Sequence, residues 1–376
     1  MADVLYFSRD TKVYIEIGSD VWEMPVLDGF SFSQTTNSTE VTLQEMESSG
    51  GVSRRGRRLF NDSLAPAEWS FSTYVRPFKT AGTGSGAAND TADEHHAVEE
   101  VLWALMAGAA AYSSFDFTGF TRDTTDLNID FDSSNKSTLG TCNIYFALDA
   151  DGSNPTVYKL DGAVVNEASI DFDIDGLATI NWSGFAATVT EGAAPTATVT
   201  EAVTATDNFI RNRLTQLTIT AADTTTFPGE SSNGVYTLTL TGGNITISNN
   251  ITFITPEELG IVNVPVGHVT GTRSVSGNFS CYLNLDTASN LGTSTDFYND
   301  LTSSAARAKI VNSFDTTFKI GGASGTPRLE VAMPTAHFEI PAHSIDDVVA
   351  VETNFHGLPS TIGETDEVAL TYVGAA

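Results

Sequence analysis

The chain has 376 residues and carries 18 Lys and Arg against 47 Asp and Glu, which gives a formal net charge of -29. Only 17% of its residues are charged, so the imbalance reflects scarce bases rather than acidic tracts. This length is typical of about two domains, and an apolar content of 41% is enough for substantial cores. A charge of this sign repels phosphates, which excludes proteins that bind nucleic acid or anionic lipid through their general surface.

The cysteines and the opening residues indicate a protein made in a reducing cytoplasm. Cys142 and Cys281 are too few to staple a chain of this length or to form a structural zinc site. No basic and then apolar leader opens the sequence; residues 1–6 instead have the composition of a strand. No apolar run is long enough to span a bilayer.

Most segments alternate apolar and polar residues with a period of two, which predicts half-buried strands. Clear examples lie at 12–17, 216–220, 236–240 and 244–253, where Thr, Val, Ile, Phe and Tyr dominate. Turn pairs that contain Gly recur between such segments. The sequence therefore predicts a mainly β protein.

Two helices are predicted, one in each half of the chain. The first runs from about Asp93 to Met106 and ends at Gly108, with His95 and His96 on its polar side. The second covers residues 294–301, where the apolar side chains fall on one face. Each helix follows a similar strand, which prompts a search for repeats.

Three short motifs recur in the same order in the two halves. The matches are 70–75 with 278–283, 168–172 with 336–340, and Asn181-Trp182-Ser183-Gly184-Phe185 with Asn354-Phe355-His356-Gly357-Leu358. The shared order predicts an internal duplication, because unrelated segments would not keep the same sequence of elements.

The motif spacing sets the expected domain boundaries. We assign a first copy to 1–190, a linker rich in Ala, Thr, Pro and Val to 191–206, and a second copy to 207–376. The first copy is longer by about 35 residues. We place the surplus near 79–92 and 120–141 and expect it to decorate the outside.

The sequence lacks the usual signatures of catalysis and cofactor binding, among them the phosphate-binding loop, the zinc-protease helix, the nucleophile turn and the redox cysteine pair. Residues 149–154 and 171–176 begin like calcium loops. The first is short, and the second has Trp182 where such a loop needs a bidentate acid, so we interpret both as strand ends and turns. We predict no enzyme activity, no cofactor and no metal.

One stretch departs from the acidic background: Arg54, Arg55, Arg57 and Arg58 provide four of the eighteen bases. Guanidinium groups pair bidentately with carboxylates, so this stretch fits a carboxylate-rich partner. On a chain of this charge, the nearest acidic partner is another copy of itself. We therefore select these four arginines as candidate inter-subunit contacts; a solvated loop is the plain alternative.

Lys and Arg are also unevenly distributed along each predicted copy. Residues 161–210 and the segment after Arg328 contain acids and no Lys or Arg. These segments occupy corresponding places in the two copies. Such a distribution keeps one face of an assembly negative while bases are reserved for contacts.

Four blocks of the sequence resemble the tail tube proteins of tailed bacteriophages: 26–33, 54–60 running into 66–71, 267–273, and 334–359 with 366–368. The resemblance implies, for each copy, a β-sandwich with one flanking α-helix. It also implies six-fold rings whose inner strands close a ring-wide β-barrel, which removes exposed strand edges. A duplicated chain would build a pseudo-hexameric ring from three subunits, and we favour this trimer over a hexamer.

On this resemblance, the chain is a structural subunit of a virion tail, made in the host bacterial cytoplasm. It would polymerise into stacked rings with a negative channel that genomic DNA crosses without specific binding. The resemblance also implies tail terminator, tape measure and baseplate or tip proteins as partners, and no membrane.

Two other functions remain open on the sequence alone. One is a different phage or bacterial β-structural protein, such as a distal tail, adhesin or secretion-tube component. The other is a carbohydrate-acting enzyme on a β-sandwich, although no single pair of acids stands out as general acid and base.

Overall fold

The computed structural model describes residues 5–42, 57–79, 94–108, 112–113, 116–117, 119–131, 139–149, 152, 155–199, 208–229, 233–259, 261–284, 291–309, 312–322, 327–345 and 347–374. Within these residues the chain is mainly β, which confirms the predicted class.

The strands of the first half are β1 Lys12–Ile17, β2 Asp20–Met24, β3 Ser31–Ser33, β4 Thr36–Thr42, β5 Arg57–Leu64, β6 Ala67–Tyr74, β7 Pro77–Lys79, β8 His95–Ala97, β9 Tyr112–Ser113, β10 Asp116–Phe117, β11 Phe120–Arg122, β12 Asp126–Asp130, β13 Cys142–Leu148, β14 Thr156–Asp173, β15 Thr179–Ala186 and β16 Thr188–Gly192. Those of the second half are β17 Gln216–Ala221, β18 Val235–Leu238, β19 Leu240–Ser248, β20 Thr252–Ile254, β21 Gly267–Val269, β22 Ser274–Tyr282, β23 Phe314–Ile320, β24 Arg328–Phe338, β25 Ala342–Ile345, β26 Val349–Gly357 and β27 Ala369–Val373. The α-helices are α1 Glu100–Ala107, α2 Ser294–Thr302 and α3 Ser304–Arg307, and short 3₁₀ turns cover Ser8–Asp10 and Asn212–Leu214.

The first helix is shorter than predicted. It begins at Glu100, because residues 95–97 form β8 and pair antiparallel with β7. His95 and His96 are therefore buried in a strand, and their placement on the polar side of a helix was wrong. The ring of His96 stacks on Phe78 and lies within hydrogen-bond distance of Glu100, so its burial is compensated. The helix does end at Gly108, whose left-handed φ of 80° closes the last turn.

The second helix matches its prediction closely. Thr293 and Asp296 form a reciprocal capping box that fixes its start, and Phe297 and Leu301 are buried. Three strand predictions need correction. The predicted strand 236–240 ends as β18 at Leu238, and Leu240 begins β19. The predicted strand 244–253 is interrupted after Ser248, because Asn250 has a φ of 50° and leaves the ladder. Residues 5–7 are not a strand, and residues 1–4 lie outside the described residues.

The two halves contain the same two antiparallel sheets. In the first half the outer sheet has the order β2–β1–β13–β14–β16 and the inner sheet β3–β6–β15–β14. In the second half the corresponding orders are β18–β17–β23–β24–β27 and β19–β22–β26–β24. The long strands β14 and β24 run through both sheets of their half.

The correspondence extends to an irregularity in the ladder. The pairing of β13 with β14 shifts its register between Cys142 and Ile144. The pairing of β23 with β24 shifts between Phe314 and Thr316, at the same point of the corresponding strands. A bulge bends a strand, which suits strands that pass from one sheet into the other.

Within the described residues, two strand pairings join the halves. β14 pairs with β19, from Glu167 opposite Ser248 to Asp173 opposite Gly242. The inner sheets therefore form one continuous sheet with the order β3–β6–β15–β14–β19–β22–β26, followed by β24 and β25. The other pairing is β12 with β27.

The pairing of β12 with β27 concerns residues that we expected to decorate the outside. Phe120, Leu127, Ile129 and Phe131 are buried, and they belong to a hydrophobic cluster that contains residues of both halves. This part of the surplus in the first half therefore forms a brace, a strand pairing that links the two halves, because its apolar side chains pack in their shared hydrophobic cluster. Residues 80–93 and 132–138, in the other parts of the predicted insertions, lie outside the described residues.

Candidate channel face and subunit contacts

One face of the inner sheet packs on the core and the other is open. In β6, Trp69 and Phe71 are buried, whereas Glu68 and Ser70 between them are not. Side chains on a strand alternate between faces, so every second residue of each inner strand belongs to the open face.

The open face is polar and has no Lys or Arg among the described residues, although the imidazoles of His337 and His356 lie on it. Ser, Thr and Asn predominate, and no Lys or Arg occurs in β3, β6, β15, β19, β22, β25 or β26, nor in the inner halves of β14 and β24. The acids of this face are Glu68, Glu167, Asp171, Asp173, Glu339 and Glu352.

Two similar amide–carboxylate contacts hold acids in place on this face. The side-chain amide of Asn181 donates to Asp171 at 2.6 Å, and that of Asn354 donates to Glu339 at 2.8 Å. The two asparagines are the matching residues of the repeated motif. The hydrogen bond from Asn354 lowers the pKa of Glu339, which keeps this carboxyl ionised. Burial instead raises the pKa of Asp171 within the single chain.

Neutral amides line up across the neighbouring strands of the second half. Asn244 lies opposite Asn278, and Asn278 lies opposite Asn354. Amide and hydroxyl groups form hydrogen bonds with water and offer no cation to a phosphate. The face is therefore hydrated and mainly acidic, and its described residues offer no Lys or Arg to nucleic acid. His356 lies on this face with its Nε2 3.7 Å from Glu339 Oε1.

The structure describes two of the four candidate arginines. Arg54 and Arg55 lie outside the described residues, whereas Arg57 and Arg58 begin β5 and are exposed. Arg57 Nη1 lies 3.2 Å from Glu40 Oε2 on the paired strand β4, and Arg58 lies opposite Val41. One guanidinium thus already contacts a carboxylate of its own hairpin, in an exposed pair of small energetic weight.

The hairpin that carries these arginines has a counterpart in the second half. β4 and β5 connect β3 to β6, and β20 and β21 connect β19 to β22. The hairpins touch through Asn263, whose N–H donates to Asp62 O at 3.1 Å and whose carbonyl accepts from Leu64 N at 2.8 Å. The register of the connecting strands shows that both hairpins leave the inner sheet at the same end.

Among the described residues, 254–259 and 261–269 of the second hairpin form the segment richest in exposed apolar side chains, and no sequence pattern above predicted it. Its signal was the density of Ile, Val and Leu around Pro256 and Pro265. Such a segment resembles a buried strand in a periodicity search, and only the structure reveals that its side chains are exposed.

A mainly β chain with a continuous sheet, a polar face free of Lys and Arg and edge strands at β3 and β25 has the features of a structural protein rather than of an enzyme with a recognisable site. The profile of the phage tail tube protein family matches residues 82–357, and the chain belongs to this family. It is similar to tail tube protein pb6 of Escherichia phage T5, with 29% identity over 378 residues that cover 96% of this chain and 75% of that protein.

The chain is therefore a structural subunit of a phage tail tube and a component of the virion tail. No helix in the described part of the chain is both long and apolar enough to cross a membrane.

Proposed function

We propose that the chain polymerises into stacked rings around a channel through which DNA passes into the host, and that it catalyses no reaction. The observation that carries this proposal is the open face of the inner sheet, which has acids and amides but no Lys or Arg among its described residues. Duplex DNA carries about one negative charge per 1.7 Å of its axis. A face of the same sign repels the duplex and lets it slide.

The junction between the halves suggests how a ring closes. Within the chain, β14 at the end of the first inner sheet pairs with β19 at the start of the second. By the matching strand order, β25 and β3 occupy the corresponding places at the two free edges. Pairing of β25 with β3 of a neighbouring subunit would continue the sheet and remove both edges.

The same correspondence supports an internal duplication and a trimeric ring. Because the two halves have matching strand order and a matching bulge, each chain provides two equivalent sectors of a ring. Three chains then supply the six sectors of a pseudo-hexameric ring, which we favour over a ring of six chains. Tail terminator, tape measure and baseplate or tip proteins are the partners we propose for the finished tube.

A charge reversal on the proposed channel face tests DNA passage. Glu352 is exposed on β26 of the inner sheet, and Asp315 is exposed on β23 of the outer sheet. We expect Glu352→Lys to slow DNA release from particles several-fold, because each ring gains cations that attract phosphates. The matched variant Asp315→Lys should release DNA at the wild-type rate. Equal rates for both variants, in tubes of normal length, would contradict the proposed channel face.

Replacement of the arginine cluster tests its contact role. The variant with Ala at positions 54, 55, 57 and 58 should stay folded and fail to assemble, because Arg57 and Arg58 are exposed on a hairpin that leaves the sheet. Arg213→Ala is a suitable control, since Arg213 is exposed and paired with Asp175 away from this hairpin. Sedimentation velocity separates monomers from tubes. Wild-type assembly of the fourfold variant would refute the contact role.

A further inference from the structure

At the end of β24, a side chain occupies the N–H and C=O that one residue offers to a neighbouring strand, which we call the Phe338 rung. The next residue, Glu339, donates its N–H to Asn354 O beside β24, at 3.0 Å. Because bonding directions alternate along a strand, the N–H and C=O of Phe338 point to the opposite side, away from β26. The Phe338 N–H donates to Asn312 Oδ1 at 2.9 Å, and Asn312 Nδ2 donates to Phe338 O at 3.0 Å. The amide of Asn312 therefore takes the place of a neighbouring strand at this rung.

The corresponding rung of the first half is bonded to a strand instead. Ala168 corresponds to Phe338, because Ala168 lies opposite Trp182 and Phe338 lies opposite Phe355, the matching residue of the repeated motif. On its other side Ala168 lies opposite Ile247 of β19. The first half thus uses this rung to join the second half.

The residue that corresponds to Asn312 has no side chain. The matching register shifts place Cys142 and Phe314 at the same point of β13 and β23. Two residues before them stand Gly140 in the first half and Asn312 in the second. The fold therefore tolerates glycine at this position, and it has glycine where another strand covers the edge. The amide stands where the chain itself supplies no covering strand among its described residues.

The same correspondence identifies the residue of a neighbouring subunit that would face Phe338. Strand β3 corresponds to β19, because the two lie beside the matching strands β6 and β22. In this register Gln34, just after β3, takes the place of Ile247. The side-chain amide of Gln34 donates to Ala65 O and Ala187 O of its own subunit. A rung between Gln34 and Phe338 would therefore be formed by backbone groups.

We propose that Asn312 is a removable cap on the assembly edge: its amide occupies the Phe338 rung in the free subunit and leaves it when β3 of a second copy of this chain pairs there. The inference rests on the proposed closure of a ring by β25 and β3. It identifies the contact that the joining strand displaces. An exposed strand edge invites uncontrolled pairing, and a side chain that occupies one of its rungs reduces that risk before assembly.

The surroundings of the rung determine how the cap affects stability. Phe338 is 1% exposed, and Asn312 is half-buried beside it. A buried N–H and C=O without partners lower stability, so the cap stabilises the free subunit. In a closed ring the neighbouring strand satisfies the same two groups, and the cap no longer contributes. Wild-type assembly therefore has to replace two hydrogen bonds that a chain without the cap does not have.

The variant Asn312→Ala tests this inference through two quantities that should move in opposite directions. The urea midpoint of the monomer should fall, because the Phe338 rung loses its partners. The concentration needed for ring formation, measured by sedimentation velocity, should fall about tenfold, because assembly no longer displaces a cap. A residue with a purely structural role would weaken the monomer without easing assembly.

The variant Asn212→Ala is the matched control. Asn212 Nδ2 donates to Leu177 O at 3.3 Å inside the subunit, so its loss should lower the urea midpoint and leave ring formation no easier. Asn312→Ser, whose hydroxyl cannot bond both groups of the rung, should lie between the wild type and Asn312→Ala, and it decides the matter if the alanine variant does not fold. A cap variant that folds and needs as high a concentration as the wild type would overturn the proposal.

A peptide separates this inference from the proposed function. A fluorescent peptide of residues 29–36, which contains β3, should bind the Asn312→Ala monomer several-fold more tightly than the wild-type monomer in anisotropy titrations, and a scrambled peptide should bind neither. Equal affinity for the two monomers, with rings formed by the wild type, would refute the cap alone. A wild-type chain that forms no rings, and monomers that do not bind the peptide, would refute the proposed ring closure itself.

Discussion

At the scale of single residues, neighbouring Glu99 and Glu100 show how the groups around a buried carboxyl decide its pKa. Burial raises the pKa of Glu99 to about 7, and the hydrogen bond from the Tyr372 hydroxyl, at 2.6 Å, offsets this only in part. Burial acts on Glu100 as well, but the charges of His96 and Arg122 outweigh it and hold its pKa at about 2. Tyr372 belongs to β27, so Glu99 lies where the two halves meet.

Glu99 should make stability depend on pH. Its pKa is higher in the folded chain than the ordinary value of 4.5, so its contribution is complete below pH 4.5 and is lost as the pH rises through 7. The loss is on the order of 3 kcal/mol. We expect Glu99→Gln to flatten the fall in the free energy of unfolding between pH 5 and pH 8, measured by urea titration. Glu258→Gln, at an exposed site, is the control, and identical profiles for the two variants would contradict the prediction.

The glycine of the repeated motif is visible in the sequence, but the physical reason for it is visible only in the structure. The match of Gly184 with Gly357 was visible in the sequence. The reason is steric: a Cβ on Gly184 would lie 2.0 Å from the Val164 carbonyl oxygen and 2.6 Å from the Trp69 ring. No short-range pattern predicts that β14 and a tryptophan of β6 approach this one residue.

At the scale of elements, the brace between β12 and β27 couples the two halves. Ile129 on β12 lies opposite Leu370 on β27, and both are fully buried. Together with the pairing of β14 and β19, this makes independent unfolding of either half costly, because each would expose an edge and part of the shared cluster.

Ile129→Ala should therefore destabilise the whole chain rather than one half. The cavity left by the lost side chain costs about 2–5 kcal/mol of unfolding free energy. Differential scanning calorimetry is expected to give one transition for the wild type and one, at lower temperature, for the variant. Ile345→Ala, at a position that is 78% exposed, should change neither. Two separate transitions, only one of which moves, would show that the halves unfold independently.

Local sequence predicts some elements well and others poorly. Strand β1 and helix α2 follow from alternation and a capping box, which are short-range signals. The match of 168–172 with 336–340 has the right strands but the wrong register. Val165 lies opposite Gly184, and Ala336 lies opposite Gly357, so Val165 corresponds to Ala336. Resemblance over five residues does not fix a register that a bulge can shift.

At the scale of the whole molecule, the net charge of -29 opposes assembly. The Debye length falls from about 30 Å at 0.01 M salt to about 8 Å at 0.15 M, so repulsion between copies weakens while apolar contacts do not. We expect purified chain to assemble faster and more completely at 0.15 M than at 0.01 M salt, as measured by light scattering. Tubes that dissolve as salt is added would instead indicate that ion pairs, such as those of the arginine hairpin, dominate the assembly.

The sequence by itself determined the mainly β class, the order of the repeated motifs and the absence of bases from corresponding segments, since composition and alternation are local properties of the chain. Only the tertiary structure decided that residues 120–131 brace the two halves, that His95 and His96 are buried in a strand, and that the apolar side chains of the second hairpin are exposed. Those outcomes depend on pairings between residues far apart in sequence, such as β12 with β27 and β14 with β19. The burial of a side chain is decided by what the fold brings against it, and local patterns do not contain that information.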